Sequence, residues 1–536
     1  MTAFLIFAAV VIFCCIFLNN ASSRVGVPVL LAFMLLGMLF GNNGLAPVSF
    51  ATFGSAENIC TVALIFIMFY GGFGTRWSSA KGVVVEAGLL ASLGVVLTAG
   101  LTGLFCHFAL GWDWLESFLM GLVVSSTDAA SVFSILRSRK LGLKSNTAPL
   151  LEVESGSNDP CSYMLTVIMI SLMNGGIGTG KLIWMVFAQI VFGAGLGLVI
   201  AQVAVYLMRR IRFATSGFDS LFVLAVALIS YALPAAVGGN GYLSAYIVGI
   251  ILGNASFSGK RELVNFFDGL TGLMQVMIFF ILGLLAHPAQ MHKVLLPAVA
   301  IFFVMLLVSR PLSVAAVLAP KRSHSLRQLG LVSFVGLRGA ASIVFAILAT
   351  TGTIALQHDI FNIVFIIVLL SISLQGSLIP FVAGKLKMTD ASQDVMKTFT
   401  DFSDETDMQF SEVTVSEGGP WENKQVMDLG IPENIILCLV VRPDCTHTVP
   451  NGSTVLNTGD RVIIGTQEFS GEKKVRLVEV PVSDIDEMSG RLVRDCSFEN
   501  GEQLVLIRRK GGNVIPNGNT LIEAGDVLII NRGVAK

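Results

Sequence analysis

The chain has 536 residues, 54% of them hydrophobic and only 13% charged, with a mean hydropathy of +0.77. Soluble domains carry about 25% charged residues, so a bilayer is the expected solvent for most of this chain. Residues 1–387 hold 21 Lys/Arg against 12 Asp/Glu, whereas residues 388–536 hold 14 against 24, and so acidic a tail argues against binding nucleic acid or anionic lipid.

The first apolar run, Ala3 to Leu18, lacks a basic segment before it and a cleavage site after it, so it reads as a first membrane helix rather than a signal peptide. A spanning helix needs ~20 mostly apolar residues, and that ruler gives about thirteen spans. They centre near residues 10, 33, 64, 95, 125, 162, 194, 228, 247, 278, 305, 340 and 370. Alternate loops carry Arg24; Arg76 and Lys81; Arg137, Arg139, Lys140 and Lys144; Arg209, Arg210 and Arg212; Lys260 and Arg261; Lys321, Arg322 and Arg327; and Lys385 and Lys387. The other loops have only Lys181 and Lys293. The positive-inside rule then puts the N-terminus outside and the C-terminus in the cytoplasm.

Composition changes after Lys387. Residues 388–408 are polar and acidic and read as a linker. From Glu412 onward, β-type runs alternate with turn residues, as in Asn434–Val441, Arg461–Ile464, Leu504–Ile507 and Val527–Asn531. The tail also repeats. Arg442, Pro450-Asn451-Gly452, Thr454 and Gly459-Asp460 recur 66 residues later as Arg508, Pro516-Asn517-Gly518, Thr520 and Gly525-Asp526. Glu412–Val415 recurs with one residue of slippage as Glu479–Val482, giving tandem units at 409–470 and 471–536. The eight cysteines show no metal-type spacing and read as small buried hydrophobes.

A charge inside a membrane helix costs ~2.5–3.5 kcal/mol on insertion scales, so ionisable residues there are functional candidates. Asp128, Glu154, Asp159 and the basic Arg338 cannot be assigned to loops. Asp128 sits in Ser125-Ser126-Thr127-Asp128, inside an apolar span. Such hydroxyls can unwind a helix locally and offer oxygens to a cation, while a carboxylate can exchange a cation for a proton. The next span contains Glu154-Ser155-Gly156-Ser157-Asn158-Asp159-Pro160, where Pro160 and Gly156 predict a kink. A buried Arg338 needs a carboxylate or several carbonyls; Glu154 is the candidate partner, in a structural salt bridge or in a direct transport role. Ser309-Arg310-Pro311 reads as a helix break, with no role for Arg310.

Thr127-Asp128 together with Glu154-Ser155-x-x-Asn158-Asp159 resembles the monovalent cation:proton antiporters of the NhaP branch. Gly336-Leu337-Arg338-Gly339 is similar to that family's later motif, and Val27-Pro28 and Gly37–Gly41 extend the likeness, which covers residues 1–387. The resemblance implies a polytopic α-helical membrane protein of inverted repeats with crossing discontinuous helices, likeness to an elevator-type exchanger, and a homodimer. It implies that Asp128 and Asp159 frame the cation and proton site, that Thr127, Ser155 and Asn158 supply neutral oxygens, and that Glu154 pairs with Arg338. An Asn-Asp pair rather than two aspartates resembles electroneutral exchangers. Phe69–Gly72 replaces an acid of the third span, and Gly156-Ser157 replaces bulky aliphatics, which fits potassium-handling relatives better than a plain sodium exchanger.

The tail resembles tandem C-terminal halves of RCK (TrkA-C) domains, a β-rich α+β fold, without the nucleotide-binding Rossmann half. That resemblance implies a cytoplasmic regulatory module, with Arg442 and Arg508 as candidates for a phosphate-bearing ligand such as cyclic di-AMP. The combined expectation is a cytoplasmic-membrane exchanger of bacterial type for potassium or sodium against protons. It is not an enzyme, and no spacing implies a metal or organic cofactor. A channel should show a re-entrant carbonyl filter, which the sequence lacks, and a mere sensor has no need of Asp128 and Asp159 at two membrane-depth breaks.

Overall fold

The computed structural model describes residues 13, 29–41, 53–139, 141–175, 178–211, 217–255, 257, 260–320, 324–353, 356–390, 408–432, 435–443, 446–467, 477–483, 488–496, 498, 502–509, 512–514 and 516–532. The chain divides into two compact units, Met1–Asp404 and Glu405–Lys536.

The first unit is helical. In chain order come α1 (Val29–Phe40), α2 (Phe53–Gly74), α3 (Val84–Leu110), α4 (Trp114–Val123), α5 (Ala129–Ser138), α6 (Thr147–Met173), α7 (Thr179–Arg210), α8 (Phe218–Ala236) and α9 (Gly241–Asn254). They are followed by α10 (Lys260–Leu285), α11 (Pro288–Leu318), α12 (Leu326–Phe334), α13 (Ala340–Gly352) and α14 (Ile360–Lys385). Every expected span from the one centred near residue 33 onward coincides with a helix or with a broken pair; the span centred near residue 10 lies outside the described residues.

One pattern occurs twice. A long helix carrying a π segment (α3, with Leu90–Gly94) precedes a broken helix (α4 and α5) and a long helix (α6). The same order returns as α11 with its π segment Met305–Ser309, the broken pair α12 and α13, and α14. Each half-helix is short, and side chains cap several ends. Asp113 accepts from Leu115 N–H at the start of α4, Ser325 from Gln328 N–H at α12, and Asp359 from Asn362 N–H at α14.

One sequence expectation changes here. Ser309-Arg310-Pro311 does not break α11: the π segment absorbs it, and Pro311 falls in the first turn of the helix that continues to Leu318, where a missing N–H does least harm. Pro160 lies inside α6, which runs from Thr147 to Met173; a membrane helix tolerates proline when neighbours support the freed backbone.

Helices α2 and α9 approach backbone to backbone through glycines. A Cβ on Gly72 would stand 2.3 Å from Tyr246 O, and one on Gly249 would stand 2.1 Å from Phe69 O. Small residues at such crossings replace the hydrophobic drive that lipid does not supply.

The expected linker begins docked. Lys144 N–H donates to Met388 O, and Thr389–Asp390 (β2) pairs antiparallel with Gly142–Leu143 (β1) in the loop joining α5 to α6. Residues 391–407 lie outside the described residues.

The second unit contains two copies of one sheet. Met408–Thr414 (β3), Arg461–Gln467 (β8), Ile435–Val441 (β5) and His447–Thr448 (β6) lie in that order, with Lys424–Gln425 (β4) pairing with Val455–Leu456 (β7). The second copy orders Leu477–Pro481 (β9), Val527–Arg532 (β12), Glu502–Arg509 (β10) and Gly512–Val514 (β11) in the same way. Even the register irregularity recurs, between Leu437 and Leu439 and again between Leu504 and Leu506.

Candidate functional site

The two breaks meet. Helix α4 stops at Val123 and α5 restarts at Ala129; α12 stops at Phe334 and α13 restarts at Ala340. Each break leaves backbone groups without helical partners, and in a bilayer these must be satisfied by protein. They satisfy one another. Asp128 N–H donates to Leu337 O at 2.8 Å. The fully buried Arg338 sends Nη1 to Ser125 O and Ser126 O at 2.7 and 2.6 Å. Its own N–H donates to Ser371 Oγ of α14 at 2.9 Å.

Asp128 holds the crossing from the other side. Its carboxylate accepts from Ser131 N–H at 3.2 Å and Ser131 Oγ at 2.5 Å, within the first turn of α5. The backbone N–H groups of Ala130 and of Ala340, at the start of α13, also face it. One carboxylate therefore serves two helix N-termini, the arrangement that a pair of positive dipole ends favours. Gly339 makes the approach feasible: a Cβ there would lie 1.8 Å from Asp128 Oδ2.

Helix α6 lays its polar face along this crossing. Ser155 Oγ donates to Thr127 O at 2.5 Å, Asn158 Nδ2 to Thr127 Oγ1 at 2.5 Å, and Ser162 Oγ to Leu122 O at 2.6 Å. Ser126 Oγ donates to Asp159 Oδ1. Asp159 is buried, and no basic side chain lies within 4 Å of its carboxylate among the described residues. Asn158 Oδ1 is likewise buried with no hydrogen-bond partner among them. Thr127, Asp128, Glu154, Ser155, Arg310 and Gly336 line a narrow cleft one turn away.

The structure thus brings Thr127, Asp128, Ser155, Asn158, Asp159 and Arg338 together. It does not pair Glu154 with Arg338. Glu154 binds Arg310 of α11 instead, side by side, with Nη1–Oε1 and Nη2–Oε2 both 2.8 Å and the two side chains 4% and 1% exposed. The physical reason is that two carbonyls freed by the α4–α5 break, Ser125 O and Ser126 O, already present Arg338 with acceptors, while the carbonyls around Arg310 lie in a continuous helix. The sequence did carry a signal for Arg310: an arginine inside an apolar run of α11 needs a partner as much as Arg338 does.

In the tail, Arg442 Nη1 contacts the buried Asp460 at 3.1 Å. The second copy makes the same bond with Arg509, not Arg508: Arg509 Nε and Nη2 each lie 2.8 Å from Asp526. Arg508 is exposed and meets Glu479 at 3.1 Å. The pairing of Arg442 with Arg508 is therefore corrected by one residue. Val441 and Arg508 occupy matching register positions, so the second hairpin is one residue shorter. Donation from Arg509 holds the Asp526 carboxyl below the usual carboxylate range.

Comparison with known proteins agrees with this geometry. The sodium/hydrogen exchanger transmembrane family model matches residues 8–385. The chain belongs to the sodium/hydrogen exchanger family. The TrkA-C domain model matches twice in this exchanger, at residues 410–468 and 477–531. A protein of Alkalimonas amylolytica named K(+)/H(+) antiporter NhaP is 33% identical over 447 residues, 83% of this chain and 77% of that one. The K(+)/H(+) antiporter NhaP2 of Shewanella oneidensis is 31% identical over 523 residues, 97% of this chain and 90% of that one. Among solved structures, the sodium proton antiporter MjNhaP1 of Methanocaldococcus jannaschii superposes with a TM-score of 0.63 at 21% identity, covering 73% of this chain and 99% of that one, which shows the shared fold.

Proposed function

We propose that this exchanger is an electroneutral monovalent cation:proton antiporter that carries potassium, with sodium as a second substrate, under control of its TrkA-C tail. The observation that carries the reading is Asp159: a buried carboxylate at the broken-helix crossing whose described partner is a hydroxyl. A carboxylate so placed is expensive to leave ionised and unpaired, so it takes up either a proton or a cation. One carboxylate binding one of two competing monocations gives one-for-one exchange and moves no net charge.

The residues around Asp159 then have assigned work. Ser155, Asn158 and Thr127 set neutral oxygens around the Asp159 carboxylate, and Asp128 neutralises the two helix ends that converge there. Arg338 fastens the two breaks to each other and Glu154 with Arg310 fastens α6 to α11, so that the site moves as one rigid body between the two faces. The names of the NhaP and NhaP2 relatives favour potassium. The basic bias of alternate loops supports an exoplasmic N-terminus, a cytoplasmic tail and residence in a bacterial-type cytoplasmic membrane. A homodimer is expected from the family likeness.

For the tail, the strand β2 on the chain leading to the regulatory module is hydrogen-bonded to the loop between α5 and α6, of which the first begins just after Asp128 and the second carries Asp159. Arg442 and Arg509 are committed to Asp460 and Asp526, so a cyclic di-AMP or other phosphate-bearing ligand would draw on the exposed Arg508 first. The test is a pH-reporting dye in proteoliposomes with the membrane potential held at zero. Added potassium should drive protons out of wild-type vesicles, and Asp159→Asn should abolish the flux while melting like wild type. Wild-type flux in Asp159→Asn would sink the assignment.

A further inference from the structure

Several serine hydroxyls meet at the crossing, and most of them spend their protons away from Asp159. Ser125 Oγ donates to Leu122 O at 2.8 Å and lies 3.1 Å from Ser162 Oγ. Ser162 Oγ donates to the same carbonyl, Ser155 Oγ to Thr127 O, and Ser131 Oγ to the Asp128 carboxylate. Among the described residues, Ser126 is the serine whose hydroxyl donates to Asp159, at Oδ1. Two adjacent serines thus do different work. Ser125 satisfies backbone left open by the end of α4, whereas Ser126 contacts the carboxylate at which exchange takes place.

That contact is held firmly. Ser126 is buried in the break between α4 and α5, and its carbonyl accepts from Arg338 Nη1 at 2.6 Å. The same nitrogen reaches Ser125 O at 2.7 Å, so Arg338 pins the backbone from one side while the Ser126 hydroxyl is presented from the other. The charged groups facing Asp159 are Asp128 at the α4–α5 break, Glu154 on α6 and Arg338 at the α12–α13 break. Tyr246 of α9, whose hydroxyl is hydrogen-bonded to Thr75 and Ser157, also lies within electrostatic reach. Among the described residues none of these four hydrogen-bonds the Asp159 carboxylate, and Ser126 does. Its hydroxyl is therefore the direct contact through which the protein discriminates between the states of Asp159.

We propose that Ser126 sets the balance between proton and cation at Asp159. The proposal rests on the antiport reading above. The carboxylate is ionised when the site is empty and stays ionised when a cation sits on it; it is neutral only when protonated. A hydroxyl that donates to an ionised carboxylate makes a stronger bond than one that meets a neutral acid. Ser126 therefore favours the empty and cation-bound states over the protonated one, which handicaps the proton in the competition. The residue fixes how acidic the medium must become before protons displace the cation.

The test compares Ser126→Ala and Ser126→Thr with wild type in proteoliposomes, titrating potassium at several pH values. In Ser126→Ala the pH below which the apparent KM for potassium climbs should move up by about one unit. On the acid side KM is then about tenfold higher at equal pH, in line with the loss of one hydrogen bond to a charged group. At the alkaline limit, where protons no longer compete, KM and maximal rate should stay within about twofold of wild type. Ser126→Thr keeps the hydroxyl and should restore the wild-type profile. A KM raised equally at every pH would mean that Ser126 acts by shape alone, and overturns the proposal. So would an unchanged profile in Ser126→Ala, or the alanine profile in Ser126→Thr. If Ser126→Ala is not recovered folded, Ser126→Cys keeps the volume with a weaker donor and should shift the profile the same way; a wild-type profile there overturns the proposal too. Absence of potassium-driven proton flux in wild type would instead refute the antiport reading itself.

Discussion

Removing Arg310 should damage this protein more than its position on an ordinary long helix suggests. Its guanidinium makes two 2.8 Å contacts with Glu154, and both side chains are almost wholly withdrawn from solvent. Breaking such a pair from one side strands a buried charge and costs about 3–5 kcal/mol, whereas removing both partners is often close to neutral. Arg310→Gln and Glu154→Gln should each lower the unfolding midpoint of the detergent-solubilised protein, and the double variant should recover much of the loss. A double-mutant cycle on unfolding free energies is then expected to return a coupling of about 2 kcal/mol or more between Glu154 and Arg310. The parallel cycle between Glu154 and Arg338 should return well under about 1 kcal/mol, since Arg338 is held by Ser125 O and Ser126 O. Equal couplings, or a larger one to Arg338, would refute the partner assignment.

Other substitutions probe the crossing and the tail. Gly339→Ala forces a methyl group onto Asp128 and should abolish both exchange and recovery of folded protein, read by size-exclusion profile and flux. Asp128→Ala removes the side chain that caps two half-helices; lost caps cost ~1 kcal/mol each, so a lower melting midpoint should accompany impaired flux. Arg442→Ala and Arg509→Ala should each lower the melting midpoint of the tail, while Arg508→Ala leaves it unchanged. Because Arg509 depresses the folded-state carboxyl of Asp526, the stability that the pair contributes is present above the unfolded carboxylate value of about 4 and is lost as pH falls through the lower folded value. Acid melts of wild type and Arg509→Ala should therefore converge at low pH and separate above about pH 4.

The helical spans were legible because hydropathy is a one-dimensional signal. Ser125–Asp128 and Ser155–Asp159 announced themselves as polar interruptions where length required a span, and the structure brings both to one crossing. Partnership was not legible. Two arginines, 28 positions apart, lay in apolar runs with one spare glutamate, and the choice depended on which helix broke: the break at Val335–Gly339 set Arg338 against carbonyls and left Glu154 to Arg310. In the tail, a hairpin shorter by one residue moved the match of Arg442 from Arg508 to Arg509. Pattern matching sees the spacing after that hairpin, and the strand register sees the spacing before it.

The central claim is that a cation and a proton compete for the Asp159 carboxylate, and the potassium dependence of flux measured at several pH values tests it most directly. Competition predicts that the apparent KM for potassium rises in proportion to proton concentration on the acid side while the maximal rate stays constant. A KM that holds steady while the maximal rate falls with acidity would place the proton elsewhere and contradict the account.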